Sequence, residues 1–164
     1  MEPEHKSNFD KIPYAYRLIA TGLGSGYSPL APGTAGSLVG IALYIPFTFL
    51  PHTVLLLATV LVFIIGTIAA AKVENVLGDD PSVVVVDEVV GMWVSLLFIP
   101  FSIRAVLFAF LLFRIFDIFK PPPARESEAL KNGLGIMTDD VIAGVYANVA
   151  TRGLLLFIVK DTIF

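Results

Sequence analysis

The chain has 164 residues, of which 56% are hydrophobic and only 15% charged, with a mean hydropathy of +0.83 and a net charge of −3. An ordinary soluble domain carries roughly 25% charged residues, so this composition belongs to a membrane protein of one domain. The absence of cysteine excludes disulfides, thiolate metal sites and a cysteine nucleophile, and the lack of a basic cluster argues against a nucleic-acid partner.

Residues 1–16 (MEPEHKSNFDKIPYAY) are polar and lack the apolar core of a signal peptide. They read as an N-terminal tail, and residues 17–164 as a single membrane-embedded domain. A glycine-rich stretch, TGLGSGYSPLAPGTAGS at 21–37, leads into a first apolar run at 34–50 that Pro51 closes. The second run, 54–71, holds 18 residues without a charge. At about 1.5 Å per residue it covers roughly 27 Å of a ~30 Å hydrocarbon slab, which predicts a transmembrane helix.

Four β-branched residues at 83–86 are too few for a sheet, and an unpaired strand is forbidden in lipid. They are expected to lead into a third run at 87–99, closed by Pro100. The fourth run, 104–119, stops at the three prolines of 121–123, and the fifth, 138–159, is interrupted by Arg152 and Gly153. The expected fold is therefore all-α, an integral-membrane bundle of about five helices. Runs one, three and four are short for perpendicular spans and fit a tilted, interfacial or internal placement.

If all five runs cross, the N-terminus and the 72–86 and 118–137 segments share one side. That side holds Lys6, Lys11, Arg17, Lys72, Lys120, Arg125 and Lys131, against Arg104 and Lys160 opposite. The basic excess predicts that this side is cytoplasmic. Asp87 and Glu88, Asp117, and Asp139 and Asp140 then all fall at the same interface. An ionised carboxylate in the hydrocarbon costs about 2.5–3.5 kcal/mol even on the mild insertion scale, so five of them must meet water, a cation or both.

Clustered carboxylates repel one another unless a cation lies among them, and hard oxygen ligands suit Mg²⁺. Beside Lys120 and Arg125, such a centre is a phosphate site, and hydrolysis of a phosphomonoester is its natural reaction. The glycine-rich turn offers Gly33, Thr34 and Ser37 as further phosphate donors at a helix start. The only histidines are His5 and His52, too few and too far from the acids for a phosphohistidine or histidine-triad route. Simpler roles exist for several of these groups. Thr138 would cap a helix with Asp139 and Asp140 in its first turn, and Arg114 would form an intrahelical ion pair with Asp117. Gly33, Gly36 and Gly40, like the row Asp140, Gly144 and Asn148, fit close helix contact. Trp93 would pack against a neighbour or lie near the headgroups, and Arg152 has no role legible in the sequence. An alternative class is a small cation transporter or channel lined by the acids, although an ion path would spread them through depth.

Three blocks together resemble the phosphatidylglycerophosphatase A family: ATGLGSGYSPLAPGTAGSL at 20–38, VVVDEVVGMWVSL at 84–96, and FRIFDIFKPPPARESE with NGLGIMTDDVIAGV inside 113–145. The resemblance covers roughly residues 18–148. It implies a multi-pass, all-helical lipid phosphatase of the bacterial inner membrane, with its active site facing the cytoplasm. Such an enzyme uses Mg²⁺ to convert the phospholipid phosphatidylglycerophosphate to phosphatidylglycerol and phosphate. Carried onto this chain, the resemblance implies catalytic and metal roles for Asp87, Glu88, Asp117, Asp139 and Asp140. Lys120, Arg125, Thr34, Gly33 and Ser37 would contact phosphate. It is silent on the oligomeric state.

Overall fold

The computed structural model describes residues 9–163, with side chains described for 9–158. Seven α-helices occur among the described residues: α1 (Tyr14–Ala20), α2 (Pro32–Tyr44), α3 (His52–Leu77), α4 (Val86–Leu96), α5 (Ile103–Phe119), α6 (Ala124–Ser127) and α7 (Leu134–Ile163). No strand is present among them.

The helix ends follow from particular residues. Pro32 occupies the first turn of α2, where its missing N–H is not needed. Gly78 at φ 94° ends α3, a conformation that costs glycine little. Ser102 caps α5 by accepting from the Ala105 N–H at 3.1 Å. Lys120, in the left-handed region at φ 45°, ends α5 just before the prolines.

The centre of the fold is α4. Nine of its 11 residues are buried, because apart from Asp87, Glu88 and Ser95 the helix is apolar or glycine. It is packed by α2, α3, α5 and α7. Two of these contacts depend on missing side chains. A Cβ on Gly144 of α7 would lie 2.6 Å from the Gly91 carbonyl oxygen, and one on Gly40 of α2 would lie 3.1 Å from Met92 and Val89. Trp93 packs inward: its Nε1 donates to the Gly40 carbonyl at 2.9 Å and its ring meets Phe47 at 5.3 Å.

Three segments are long and apolar enough to cross a membrane: Pro32–Phe49, His52–Leu77 and Leu134–Ile158. The other two apolar helices are shorter, 17 residues for α5 and 11 for α4. At 11 residues α4 is about 16 Å long, half the hydrocarbon thickness, and it lies inside the bundle. The fifth run also differs from expectation. It begins at Leu134 and passes Arg152 and Gly153 without a break.

Arg152 has a local explanation. Its Nη2 donates to the Leu97 carbonyl and its Nε to Asn148 Oδ1, while Asn148 Nδ2 donates to the carbonyls of Val94, Ser95 and Leu97. These donors satisfy the orphan carbonyls at the end of α4, which has no polar C-cap of its own. At the other terminus, the expected 1–16 tail is packed from residue 9 onward. Phe9 and Ile12 are buried with Ala69, Ala70 and Val73 of α3, and α1 already begins at Tyr14. Residues 1–8 lie outside the described residues.

Candidate active site

A cavity of about 310 Å³ lies where the N-terminus of α2, the N-terminus of α4 and the C-terminus of α5 meet the early turns of α7. All five acids singled out in the sequence line it: Asp87, Glu88, Asp117, Asp139 and Asp140. Gly33, Arg114, Lys120, Asp80 and Ser82 line it as well. Three separate helices, α4, α5 and α7, thus deliver charged side chains to one place, and the uncharged start of α2 closes it.

Within the cavity the acids divide into groups. Asp87, Glu88 and Asp140 each offer a carboxylate oxygen, and these oxygens lie within 4.8 Å of one another. One oxygen of each (Asp87 Oδ1, Glu88 Oε2 and Asp140 Oδ2) is buried without a hydrogen-bond partner. A buried, unpaired acceptor is expensive, and three together are tolerable only if they share a proton or a cation. Burial, followed by repulsion from Glu88, pushes the Asp87 carboxyl well above the usual range. Burial raises Glu88 to about 7, although Asp87 and Arg114 pull it back.

The remaining two acids each face a basic group. Arg114 Nη1 lies 2.7 Å from Asp117 Oδ2 and 3.9 Å from Glu88 Oε1. Asp117 sits at the negative end of the α5 dipole, so it needs that neighbour. Lys120 Nζ donates to Asp139 Oδ2 at 2.7 Å and also to Glu128. Burial works against the Lys120 charge, but the two carboxylates outweigh it and hold the ammonium pKa above its ordinary value. Asp139 therefore anchors Lys120 rather than joining the group of three. The helix-start reading of Asp139 and Asp140 does not hold, because α7 begins at Leu134, more than a turn before them.

The expected phosphate donors fare unevenly. Gly33 lines the cavity, and a Cβ there would meet the Glu88 carboxylate and stand 3.0 Å from both Nη atoms of Arg114. Thr34 is not part of the lining, and Ser37 is fully buried with its hydroxyl donating to the Gly33 carbonyl at 2.9 Å. Arg125 is exposed on α6, also off the lining. Arg114 makes the expected ion pair with Asp117 and also lines the cavity, which Arg125 does not. Its spacing of three from Asp117 was the signal available, since one helix face carries both. Asp80 and Ser82 had no signal in the sequence.

The family model described as phosphatidylglycerophosphatase A matches residues 18–155. The chain belongs to the phosphatidylglycerophosphatase A family. It is thereby a phosphatase, built on apolar helices suited to a membrane. Among its relatives, phosphatidylglycerophosphatase A of Escherichia coli K12 is 38% identical over 151 residues, covering 90% of this chain and 86% of that protein. The Haemophilus influenzae phosphatidylglycerophosphatase A is 45% identical over 134 residues, 79% of this chain and 82% of the relative. A Bacteroides thetaiotaomicron protein provisionally named phosphatidylinositol-3-phosphatase is 51% identical over 138 residues, 79% of this chain and 87% of the relative. No solved structure matches the chain.

Proposed function

We propose that the chain is a Mg²⁺-dependent phospholipid phosphatase that hydrolyses the terminal phosphomonoester of phosphatidylglycerophosphate, at the cytoplasmic face of a bacterial inner membrane. The observation that carries the reading is the cavity: six acids and two cations line one pocket at one end of the helices, and three of the acids hold unpartnered oxygens. A transport path would instead run acids through the depth of the bundle. The basic residues Lys72, Lys120, Arg125 and Lys131 at this end support its cytoplasmic orientation.

The donor set fits the metal. Asp87, Glu88 and Asp140 are hard oxygen ligands with no basic group hydrogen-bonded to their orphan atoms, the chemistry that suits Mg²⁺. Bound by these residues, Mg²⁺ supplies charge neutralisation and Lewis-acid polarisation of the phosphoryl oxygens. Arg114 and Lys120 bind the rest of the phosphate charge. Asp117 orients the first of these cations and Asp139 the second, so both side chains reach the cavity already positioned. In the overall reaction water adds to phosphorus and the ester P–O bond breaks, releasing the lipid alcohol and inorganic phosphate.

The decisive assay presents the purified protein with phosphatidylglycerophosphate and, in parallel, phosphatidylinositol 3-phosphate in detergent micelles. Phosphate release from the first, abolished by EDTA and restored by Mg²⁺, is the expected result. Faster release from the inositol lipid would move the substrate assignment toward the Bacteroides relative's name. Undiminished turnover in EDTA would remove the metal from the proposal.

The phosphate role of Arg114 rather than Arg125 has its own test. Arg114→Lys keeps the charge but loses the planar fork of donors, and is expected to raise KM about tenfold, since a good charge-assisted contact contributes about 1.5–3 kcal/mol. Arg125→Ala is expected to leave KM within about twofold, as exposed charges contribute little. Steady-state kinetics on the two variants decides, and the reverse ranking would return the phosphate role to Arg125.

A further inference from the structure

The rim of the cavity differs in kind from its interior. On α5 the cavity-lining residues Arg114 and Asp117 lie three apart and share a face. To one side of that face Phe113 is fully buried, and the Phe116 ring meets Tyr146 of α7 at 5.6 Å. To the other side Ile115 and Ile118 are 46% and 69% exposed. The opposite lip is the segment leading into α2, where Ala31, Pro32 and Gly33 line the cavity and Leu30, just before them, is 95% exposed. A polar, charged pocket is thus bordered on two sides by large apolar side chains. The two lips approach closely, because Gly33 has no Cβ to fill the space before Arg114.

A phospholipid whose phosphate must reach buried carboxylates faces a physical conflict. Each methylene that follows the headgroup into a polar cavity loses its hydrocarbon surroundings and gains nothing there. The conflict disappears if the cavity opens sideways to the bilayer along an apolar margin, so that the chains stay in hydrocarbon while the headgroup turns inward. We propose that the gap between the N-terminus of α2 and the C-terminal turn of α5 is a lateral portal. In it Leu30, Ile115 and Ile118 hold the acyl chains of the phospholipid substrate while its phosphate lies beside Arg114. This inference rests on the reading of the chain as a lipid phosphatase. Its occupant is set by continuity: the apolar rim and the cationic wall are adjacent on the same helix, which matches an amphiphile with an anionic head.

The test compares the long-chain phospholipid with its deacylated headgroup, which carries the same phosphomonoester without chains. The double variant Leu30→Ser/Ile118→Ser is expected to raise KM for the long-chain lipid at least tenfold, leaving both kcat and KM on the deacylated compound unchanged. Leu61→Ser, at a 59% exposed position on α3 away from the portal, is expected to change neither. Equal losses on both substrates, or no loss on either, would overturn the portal. If the native protein releases phosphate from neither substrate, the phosphatase reading itself has failed, and a second arm still reads the portal. A phosphatidic acid carrying a photoreactive diazirine on its acyl chain is expected to label residues 28–31 and 111–119 preferentially. Labelling spread evenly over the exposed face of α3 would overturn it.

Discussion

Asp140→Asn is expected to lower kcat about a hundredfold or more, equivalent to roughly 2.7 kcal/mol of barrier, while the protein still inserts and folds. Asp140 is 2% exposed and its Oδ2 has no partner, although Asp87 and Glu88 are within reach of the same point. An amide has the same shape as the carboxylate, so packing is kept, but it carries no charge and turns a donor toward the other two acids. Removing one carboxylate also relieves repulsion in the metal-free protein. The variant is therefore expected to melt at or above the temperature of the parent in EDTA, and to lose the thermal stabilisation that added Mg²⁺ gives the parent. Asp87→Asn should behave alike. Phosphate release and thermal melts with and without Mg²⁺ measure both effects. A variant with normal turnover would show that the group of three is not the reaction centre.

Gly91→Ala is expected to damage both the fold and the site through a single methyl. Its Cβ would stand 2.6 Å from Phe113 Cζ and 2.8 Å from the Asp140 carbonyl oxygen. The backbone atom cannot rotate away, so α4 and α7 must separate. Overpacking of this kind costs about 1–3 kcal/mol, and here it also displaces Asp140 from Asp87 and Glu88. A lower melting temperature in detergent together with loss of activity is the expected pair of results. Gly153→Ala on α7 is the internal comparison, because a Cβ there meets nothing within 4 Å. It is expected to be neutral or to stabilise by up to about 1 kcal/mol through helix propensity. If the two substitutions had equal effects, close approach of α4 and α7 would not be what glycine provides at position 91.

The contrast between the two glycines shows where reading the chain succeeded and where it did not. Proline positions located some helix ends, since proline removes an N–H and blocks continuation. The prolines at 121–123 follow the end of α5 as expected, whereas α2 ends at Tyr44, short of the expected stop at Pro51, which instead precedes α3. Hydropathy identified the spanning character of α3 but left the placement of α4 open. A window of apolar residues does not tell a helix facing lipid from one enclosed by other helices, and α4 is the enclosed kind. The row Asp140, Gly144 and Asn148 was correctly associated with close packing. Its finer purpose, with Asn148 and Arg152 holding the carbonyls at the end of α4, depends on an angle between helices that no periodicity contains.

Local chemistry alone was enough to mark the five acids. Each interrupts or borders an apolar run where an ionised group is costly, and that cost is a property of the residue and its immediate neighbours. Their division of labour was not local. Asp139 and Asp140 are adjacent in the chain, yet one meets Lys120 and the other faces Asp87 and Glu88, because successive positions on a helix point about 100° apart. Likewise Arg114 rather than Arg125 enters the cavity because α5 carries it there, whereas α6 leaves Arg125 in solvent. From its sequence, then, this protein owed its all-helical membrane character and its set of charged groups to residue types and their order. Which of those groups share a cavity, and which merely hold another in place, was decided by the packing of α2, α5 and α7 around α4. Partnerships between residues far apart in the chain exist only once the helices have met.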